Sequence, residues 1–262
     1  MSDVDTMTRA LPKTPSLRLD GKRALITGAG RGIGQAAAAA LAEAGAHVVL
    51  VSRTRAELDE VATAIARNGG SAEVETVDVV DVDAARRVFD RIGPVDVFVN
   101  NAGTNRPAPL LDVTPEDFDA VMALNVRGAF FCVQAVARHM VAAEAGGSII
   151  NISSQMGLVA LPGRSVYCAS KHAVEGMTKS MALDLAPHNI RINTIAPTFI
   201  ETPLTRPMFE NKEFRDDVLA RLPIGRVGQV TDLMGAVLFL ASDASALMTG
   251  SCLRVDGGWT AQ

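Results

Sequence analysis

The sequence predicts a single α/β domain built on a seven-stranded parallel sheet that is doubly wound, with helices on both faces. Three observations lead there. Short apolar runs alternate with longer stretches of helical periodicity along the whole chain, the pattern of repeated βαβ units. A glycine-rich turn joins the first such run to the first helix, where α/β sheets commonly bind phosphate groups. Finally, 48% of the 262 residues are hydrophobic and 21% charged, enough apolar surface to cover a sheet on two sides.

Residues 1–18 mix Asp3, Asp5, Arg9 and Lys13 with Pro12 and Pro15. They lack the apolar stretch of a secretory signal and are expected to be an arm ahead of one domain over 19–262. Residues 23–27 (RALIT) read as a strand running into the glycine turn at 28–34, followed by an alanine-rich helix to Ala44, ended by Gly45. Residues 47–52 (HVVLVS) form a second buried strand, and 53–68 carry Leu58, Val61, Ala62 and Ile65 at helical spacing. A third strand at 72–77, a helix at 82–92 and a fourth strand at 95–99 follow. Asp112-Val-Thr-Pro-Glu opens a long helix with a capping signal and an early proline, expected to continue to about Ala143. Strand five at 148–152, a helix around Tyr167 and strand six at 190–195 (IRINTI) come next. The stretch at about 198–226 is polar and punctuated by prolines, and reads as a lid. It carries Met208, Phe209, Phe214 and Leu219 beside Glu210, Lys212, Glu213, Arg215, Asp216 and Asp217. A core helix at 230–241 and a seventh strand at 253–255 precede Asp256-Gly-Gly-Trp. No repeat or domain boundary interrupts this order.

A net charge of −4 argues against nucleic-acid binding. No apolar run approaches the roughly 18 residues that cross a bilayer, so no membrane is expected. Cys132, Cys168 and Cys252 are odd in number and form no C-x-x-C, which suggests neither a metal site nor a disulfide framework. A cytoplasmic location is the default for such a chain.

The glycine turn reads T-G-x-x-x-G-x-G, with Thr27, Gly28, Gly32 and Gly34, and with Arg31 and Ile33 between them. Backbone N–H groups there can approach a pyrophosphate at the start of the first helix. The bland alternative is a tight strand-to-helix turn. The residue after the second strand reads the ribose: a carboxylate binds a 2′-hydroxyl, whereas arginine accommodates a 2′-phosphate. Ser52-Arg53 stands there, and Arg31 adds a second cation, so NADP(H) is expected over NAD(H). Against this, Arg53 would only cap the sheet edge, or stack on adenine and leave the ribose to Ser52.

Tyr167 is the only tyrosine, and Lys171 follows it four positions on, on the same face of a helix. An ammonium beside a phenol favours the phenolate. Bringing a tyrosine from about 10 to neutrality takes roughly 4 kcal/mol of differential stabilisation. Supplied by the lysine and a cationic cofactor together, it would make Tyr167 an acid/base near neutral pH.

With these motifs in place, the sequence resembles the short-chain dehydrogenase/reductase family from about 19 to 260. The resemblance is carried by TGAGRGIG at 27–34, DVVD at 78–81, NNAG at 100–103, Asn125 in ALNVRG, ISS at 152–154, YCASK at 167–171 and DGGW at 256–259. It implies a Rossmann-type fold and an oxidoreductase that interconverts a ketone and a secondary alcohol by hydride transfer. It implies Ser154 as the hydrogen-bond donor to the substrate oxygen and Tyr167 as the acid/base. Lys171 would lower the Tyr167 pKa and hold the nicotinamide ribose, and Asn125 would hold a water that passes protons to Lys171. The resemblance also puts Asp78 and Val79 on the adenine, Asn101 and Gly103 beside the cofactor channel, and Pro197, Ile200 and Thr202 at the nicotinamide. The chain departs from the family at Pro197-Thr198, where Pro-Gly is usual, and a side chain narrows that turn. The family further implies a homotetramer, in keeping with helices at 113–143 and around Tyr167 that are apolar on more than one face.

Two competing classes are disfavoured. A cofactor-sensing protein without turnover would be expected to lose Tyr167 or Lys171, and an epimerase or dehydratase would carry a longer substrate domain. The substrate is left open among 3-oxoacyl thioesters, sugars or polyols, and cyclic ketones, with an NAD(H)-dependent sugar or polyol dehydrogenase as the alternative function. Met156, Leu158 and Leu161 are expected to line the pocket. His172, Cys168, Asp184 and His188 read as packing or capping residues.

Overall fold

The computed structural model describes residues 11–261; residues 1–10 of the expected N-terminal arm lie outside the described part. Strands form at Arg23–Thr27 (β1), His47–Ser52 (β2), Ser71–Thr76 (β3), Val97–Asn100 (β4), Gly147–Ile152 (β5), Ile190–Pro197 (β6) and Cys252–Val255 (β7). They pair in the order β3-β2-β1-β4-β5-β6-β7, all parallel. The chain winds outward from β1 to β3, then returns so that β4 pairs with β1. That reversal opens a crevice at the carboxyl ends of the two central strands.

Helices cover both faces because the strand residues alternate. Ala24, Ile26, Val48, Leu50, Val97, Val99, Ile150 and Ile195 cluster with Gly32–Glu43 (α1), Arg55–Arg67 (α2) and Thr231–Ala241, the ninth helix (α9). Leu25, Val49, Phe98, Ile149 and Ile192 cluster instead with Val82–Ile92 (α3), Ala129–Ala143 (α5) and Ser165–Leu185 (α6). Leu19 is already buried, and its N–H bonds the Ala44 carbonyl at 2.8 Å, so ordered packing begins there.

The long helix departs from expectation. Thr114 accepts the Asp117 N–H at 3.1 Å and Pro115 stands in the first turn, so the start follows the capping signal. Pro115–Met122 (α4) then gives way to a π-helical turn, Ala123–Gly128, before α5 begins. The backbone is pressed hard here: a Cβ on Gly128 would stand 3.0 Å from the Val79 carbonyl and 3.2 Å from that of Ala123. Run together, Pro115–Ala143 has an 18-residue window of mean hydropathy 1.5, long and apolar enough to cross a membrane by length and composition. This corrects the expectation that no run qualifies. Its hydropathy reflects core packing, since half of that window is buried and Val133, Val136 and Met140 join the core beside β4.

The stretch read as a lid contains two short helices, Arg206–Phe209 (α7) and Lys212–Ala220 (α8), the second capped by Asn211 through the Phe214 N–H at 3.1 Å. It is tied down by the Ile200–Gly228 bridge and by Arg226, which grips Asp232 of α9 at 2.7 and 2.8 Å.

Candidate active site

A cavity of about 640 Å³ opens at the β1/β4 reversal. Gly28, Arg31, Gly32, Ile33, Ser52, Arg53, Asp78, Val79, Asn101, Gly103, Ser154, Tyr167, Lys171, Pro197, Ile200 and Thr202 all line it. Two residues singled out from the sequence, Gly34 and Asn125, lie behind its wall.

The glycine turn is shaped by close backbone approach. Gly28 and Gly32 have φ of +64° and +59°, the left-handed region that disfavours a side chain. A Cβ on Gly34 would come within 2.2 Å of the Gly28 carbonyl, so this glycine packs α1 under the turn instead of facing the cavity. The Thr27 hydroxyl oxygen accepts the N–H groups of Asn101 and Ala102 at 3.0 and 3.2 Å. The Asn101 amide donates back to the Thr27 and Gly28 carbonyls at 3.0 and 3.2 Å. Asn101 therefore braces the switch point with its side chain. The first N–H groups of α1 have no partner inside the helix and lie at the cavity floor, which suits an anionic ligand.

At the far end, Arg53 lies 3.7 Å from Asp78, both largely exposed. Arg31 lies 3.4 Å from Glu57, a residue the sequence reading did not single out. Glu57 sits in the first turn of α2, and a Cβ on Gly30 would stand 2.8 Å from its Oε2. Arg31 and Arg53 thus place two cations at the corner where the sequence led one to expect a 2′-phosphate, and Glu57 sets a carboxylate among them. Ser52 hydrogen-bonds Thr54 N–H at 3.2 Å at the same corner. The signal for Glu57 was its place in the first turn of the helix that follows β2.

At the catalytic end, Ser154 follows β5 and caps the turn Gln155–Gly157. Its oxygen accepts the Met156 N–H at 3.1 Å, leaving its proton to give. Lys171 is buried and donates to the Ile152 carbonyl at 2.8 Å, with Nζ 5.6 Å from the centre of the Tyr167 ring. Burial pushes the Tyr167 phenol up to about 12, opposed by a hydrogen bond with Ser154 and by Arg164. Burial pulls the Lys171 ammonium down to about 8. The lowering of the phenol expected from the lysine and a cationic cofactor together is not present in the protein alone, where burial governs both groups. The lysine ammonium is aimed at a carbonyl and the ring face, and desolvation dominates both groups.

Asn125 sits in the π turn, 1% exposed. Its amide donates to the Thr104 carbonyl at 2.8 Å and to the Ser170 hydroxyl at 3.0 Å, and its oxygen accepts the Thr104 N–H at 2.8 Å. Both side-chain N–H bonds are therefore spent on protein, and the side chain braces the π turn against the Thr104 loop and α6. A Cβ at Gly103 would stand 3.3 Å from the Asn125 oxygen and 3.8 Å from Lys171 Nζ, and glycine keeps that corridor open.

Thr202 closes over the glycine turn, its Cγ2 3.4 Å from where a Gly32 Cβ would be. Among the described residues, several buried polar atoms lack a partner: both ends of the Gln155 amide, Asn105 Oδ1, Ser153 Oγ, Arg164 Nε and Thr198 Oγ1. Asn105, Ser153, Gln155 and Thr198 line the cavity. Met156 lines it as well, and Met208 reaches it from the lid. Leu161, Phe209 and Phe214 pack instead into a cluster with Phe199 and Trp259, and Leu158 is part-exposed. His172 hydrogen-bonds the Cys168 carbonyl of its own helix at 2.9 Å, and Cys168 is packed. No cluster able to hold a metal ion exists among the described residues.

The family model described as enoyl-(acyl carrier protein) reductase matches residues 28–260. L-xylulose reductase of Bos taurus is 42% identical over 245 residues, covering 94% of this chain and 99% of that protein. A 3-oxoacyl-(acyl-carrier-protein) reductase of Thermotoga maritima is 40% identical, covering 92% and 99%. A gluconate 5-dehydrogenase from Burkholderia cenocepacia, solved in complex with NADP and tartrate, superposes with a TM-score of 0.90 at 44% identity, covering 94% and 98%. A parallel sheet with this strand order, a glycine turn at its switch point and a Ser-Tyr-Lys set at its carboxyl edge accompany those matches, and the chain belongs to the short-chain dehydrogenase/reductase family.

Proposed function

We propose that the protein is an NADP(H)-dependent oxidoreductase that interconverts a ketone and a secondary alcohol on a small polyhydroxylated substrate, a sugar or polyol. The observation that carries the reading is the convergence of Ser154, Tyr167 and Lys171 on the same cavity as the glycine turn and the two arginines. A bound nicotinamide supplies or takes the hydride. The Ser154 hydroxyl and the Tyr167 phenol donate to the carbonyl oxygen, stabilising the charge that develops on it, and Tyr167 passes its proton to that oxygen. Lys171, when charged, lends its field to the phenolate left behind.

The unpaired Gln155 amide supports the substrate class. A buried amide without partners costs about 1–3 kcal/mol per group, so a ligand with several hydroxyls recovers what an alkyl chain would not. The named activities of the relatives, on L-xylulose and on gluconate, agree with this preference, whereas the acyl-carrier-protein reductase points the other way. Glu57 favours a tolerance for NAD(H), because its carboxylate can accept from a ribose hydroxyl.

Turnover of L-xylulose, 5-ketogluconate and acetoacetyl-coenzyme A with each cofactor tests the reading. The keto sugars should exceed the thioester in kcat/KM by at least about tenfold, and Gln155→Leu should narrow that gap. Preference for the thioester would overturn the substrate class, and no turnover of any carbonyl would overturn the activity.

A further inference from the structure

Arg164 directly precedes α6 and is 9% exposed, although an arginine keeps its charge at any physiological pH. Arg31, Arg53 and Arg106 each have a carboxylate beside them, from Glu57, Asp78 and Asp117 in turn. Arg164 has none among the described residues. Its one side-chain hydrogen bond runs from Nη1 to the carbonyl of neighbouring Gly163 at 3.1 Å, and its Nε is buried without a partner. Burial holds the guanidinium below the usual arginine range, and the groups that act the other way are Cys168 and Tyr167, neither of them a carboxylate. A buried charge is costly unless it is paired, and no group of the described chain pairs this one.

The surroundings of Arg164 put it at the catalytic end of the cavity. Tyr167 follows it by three residues and Lys171 by seven, the spacing of one helix face, and both line the cavity. Three residues rise about 4.5 Å along a helix, so Arg164 stands a few carbon–carbon bonds from a carbonyl held at Tyr167. The Gly163 carbonyl that holds Nη1 also accepts the Ala108 N–H at 3.2 Å. That bond ties the start of α6 to the segment carrying Asn105 and Arg106, which form the cavity wall. Arg164 lies just off the wall, in the corner between these two segments. Two further features make the corner electropositive. Arg164 occupies the N-cap position without an acceptor to offer, so no side chain caps the first N–H groups of α6. The carboxylates on the cavity wall, Glu57 and Asp78, both stand at the far end.

We propose that the substrate carries a carboxylate and that Arg164 is the specificity-determining residue that reads it, at the uncapped start of α6. The inference rests on the sugar-or-polyol reading and narrows it: the substrate is a keto sugar acid in place of a neutral ketose. With its keto carbon at Tyr167, such a molecule places a carboxylate a few carbons along the chain in this corner. There the guanidinium has four of its five N–H groups to give, in a planar fork that suits a carboxylate. Arg106 contributes less, since Asp117 already shares its charge. The carboxylate takes no part in hydride transfer. Anchoring one end of the chain fixes which carbon comes to Tyr167.

Gluconate and sorbitol have the same six-carbon chain and differ at one terminus, carboxylate against CH2OH. Neither has a carbonyl to reduce, so both can be titrated by calorimetry into the full chain saturated with NADPH. Gluconate should bind at least about tenfold tighter than sorbitol, the scale of one charge-assisted hydrogen bond. Arg164→Gln should remove most of that difference and leave sorbitol unchanged, and Arg164→Lys should restore part of it. Where Arg164→Gln does not fold, Arg164→Met keeps the bulk of the stem and is read the same way. Equal affinities in the wild type, or no binding of gluconate, overturn the proposal. So does a loss on substitution that is the same for both ligands, which marks Arg164 as a structural residue, and so does a preference that Arg106→Gln removes and Arg164→Gln does not. In turnover, 5-ketogluconate should exceed L-sorbose, its counterpart with a terminal CH2OH, by at least about tenfold in kcat/KM. Gluconate preferred by a protein that turns over no carbonyl leaves the carboxylate site standing and sinks the hydride-transfer reading. Equal turnover of the two ketones does the reverse.

Discussion

Tyr167 and Lys171 are both held towards their neutral forms by burial, and that sets the pH behaviour of the site. Because Tyr167 is the sole tyrosine, phenolate absorbance of the protein alone should appear only towards about 12. Adding oxidised cofactor, which brings a positive ring, should move that titration down. Tyr167→Phe should erase the signal, spare NADPH binding and lower kcat by about 10²–10⁴-fold; a loss below about tenfold would contradict the assignment. Lys171 gives the second pH dependence. Its folded value lies below that of a free lysine, so its charge is lost as pH rises through about 8, and kcat/KM for carbonyl reduction should fall on that side. At the other end of the cavity, the charges of Arg53 and Glu57 would act in opposite directions on the 2′-phosphate of the proposed cofactor. Arg53→Asp should weaken NADPH by roughly 10- to 150-fold, the equivalent of one charge-assisted hydrogen bond. Glu57→Gln should tighten NADPH by about 2- to 5-fold, the scale of an exposed charge interaction, and weaken NADH by a similar factor as the ribose hydroxyl loses a charged acceptor. Calorimetric titration of both cofactors against both variants decides it. Affinities unmoved by either substitution would mean that neither residue reads the phosphate.

At the scale of elements, the π turn at Ala123–Gly128 is the feature that composition hid. Helical periodicity runs straight through ALNVRG, and nothing in the residue types signals one extra residue in the turn. What widens it is tertiary: the Gly128 backbone lies against Val79, and the Asn125 amide has partners on two other segments. Asn125→Ala would leave the Thr104 N–H and carbonyl and the Ser170 hydroxyl short of a bond. We expect it to destabilise the fold by about 1–3 kcal/mol, read as a lower urea midpoint at unchanged slope. A midpoint within error of the wild type would show that water replaces the amide. By contrast, β1, β2, α3 and α9 were legible to within a residue or so, since each is bounded by a local signal. Thr27 leads into glycines, Asp81 caps α3 through the Ala84 N–H at 3.0 Å, and Gly93 ends it.

For the whole molecule, the surface carries an apolar set on the segment that leads into and forms the long helix. Leu110 and Leu111 are exposed at 75% and 95%, and Phe118 and Phe130 are more than a third exposed. Large apolar side chains gathered on one segment mark an interaction surface. We expect copies of this chain to bury it against one another, in line with the homotetramer the family resemblance implies. Light scattering at micromolar protein should then give a mass well above the 27.5 kDa of one chain. Charging the patch with Leu111→Glu and Phe118→Glu together should lower that mass. A monomer in the wild type would contradict the expectation.

The strand and helix order, the parallel sheet, the glycine turn and the Tyr167–Lys171 pair were legible in the residues themselves, through periods of two and 3.6 residues, glycines at fixed offsets and a motif contained in one segment, whereas Ser154 came only from the family resemblance. What those groups experience was settled by folding. Glu57 enters the phosphate corner because α2 turns back over Gly30, and Asn125 became a brace because the Thr104 loop and α6 meet at its amide. Lys171 and Tyr167 read, in sequence, as a cation lowering an acid. Once buried, both lose the stabilisation of water, and desolvation is the largest influence on each. Spacing along a helix specifies which side chains share a face. The dielectric around them, and the partners that come from distant segments, exist only after the chain has folded.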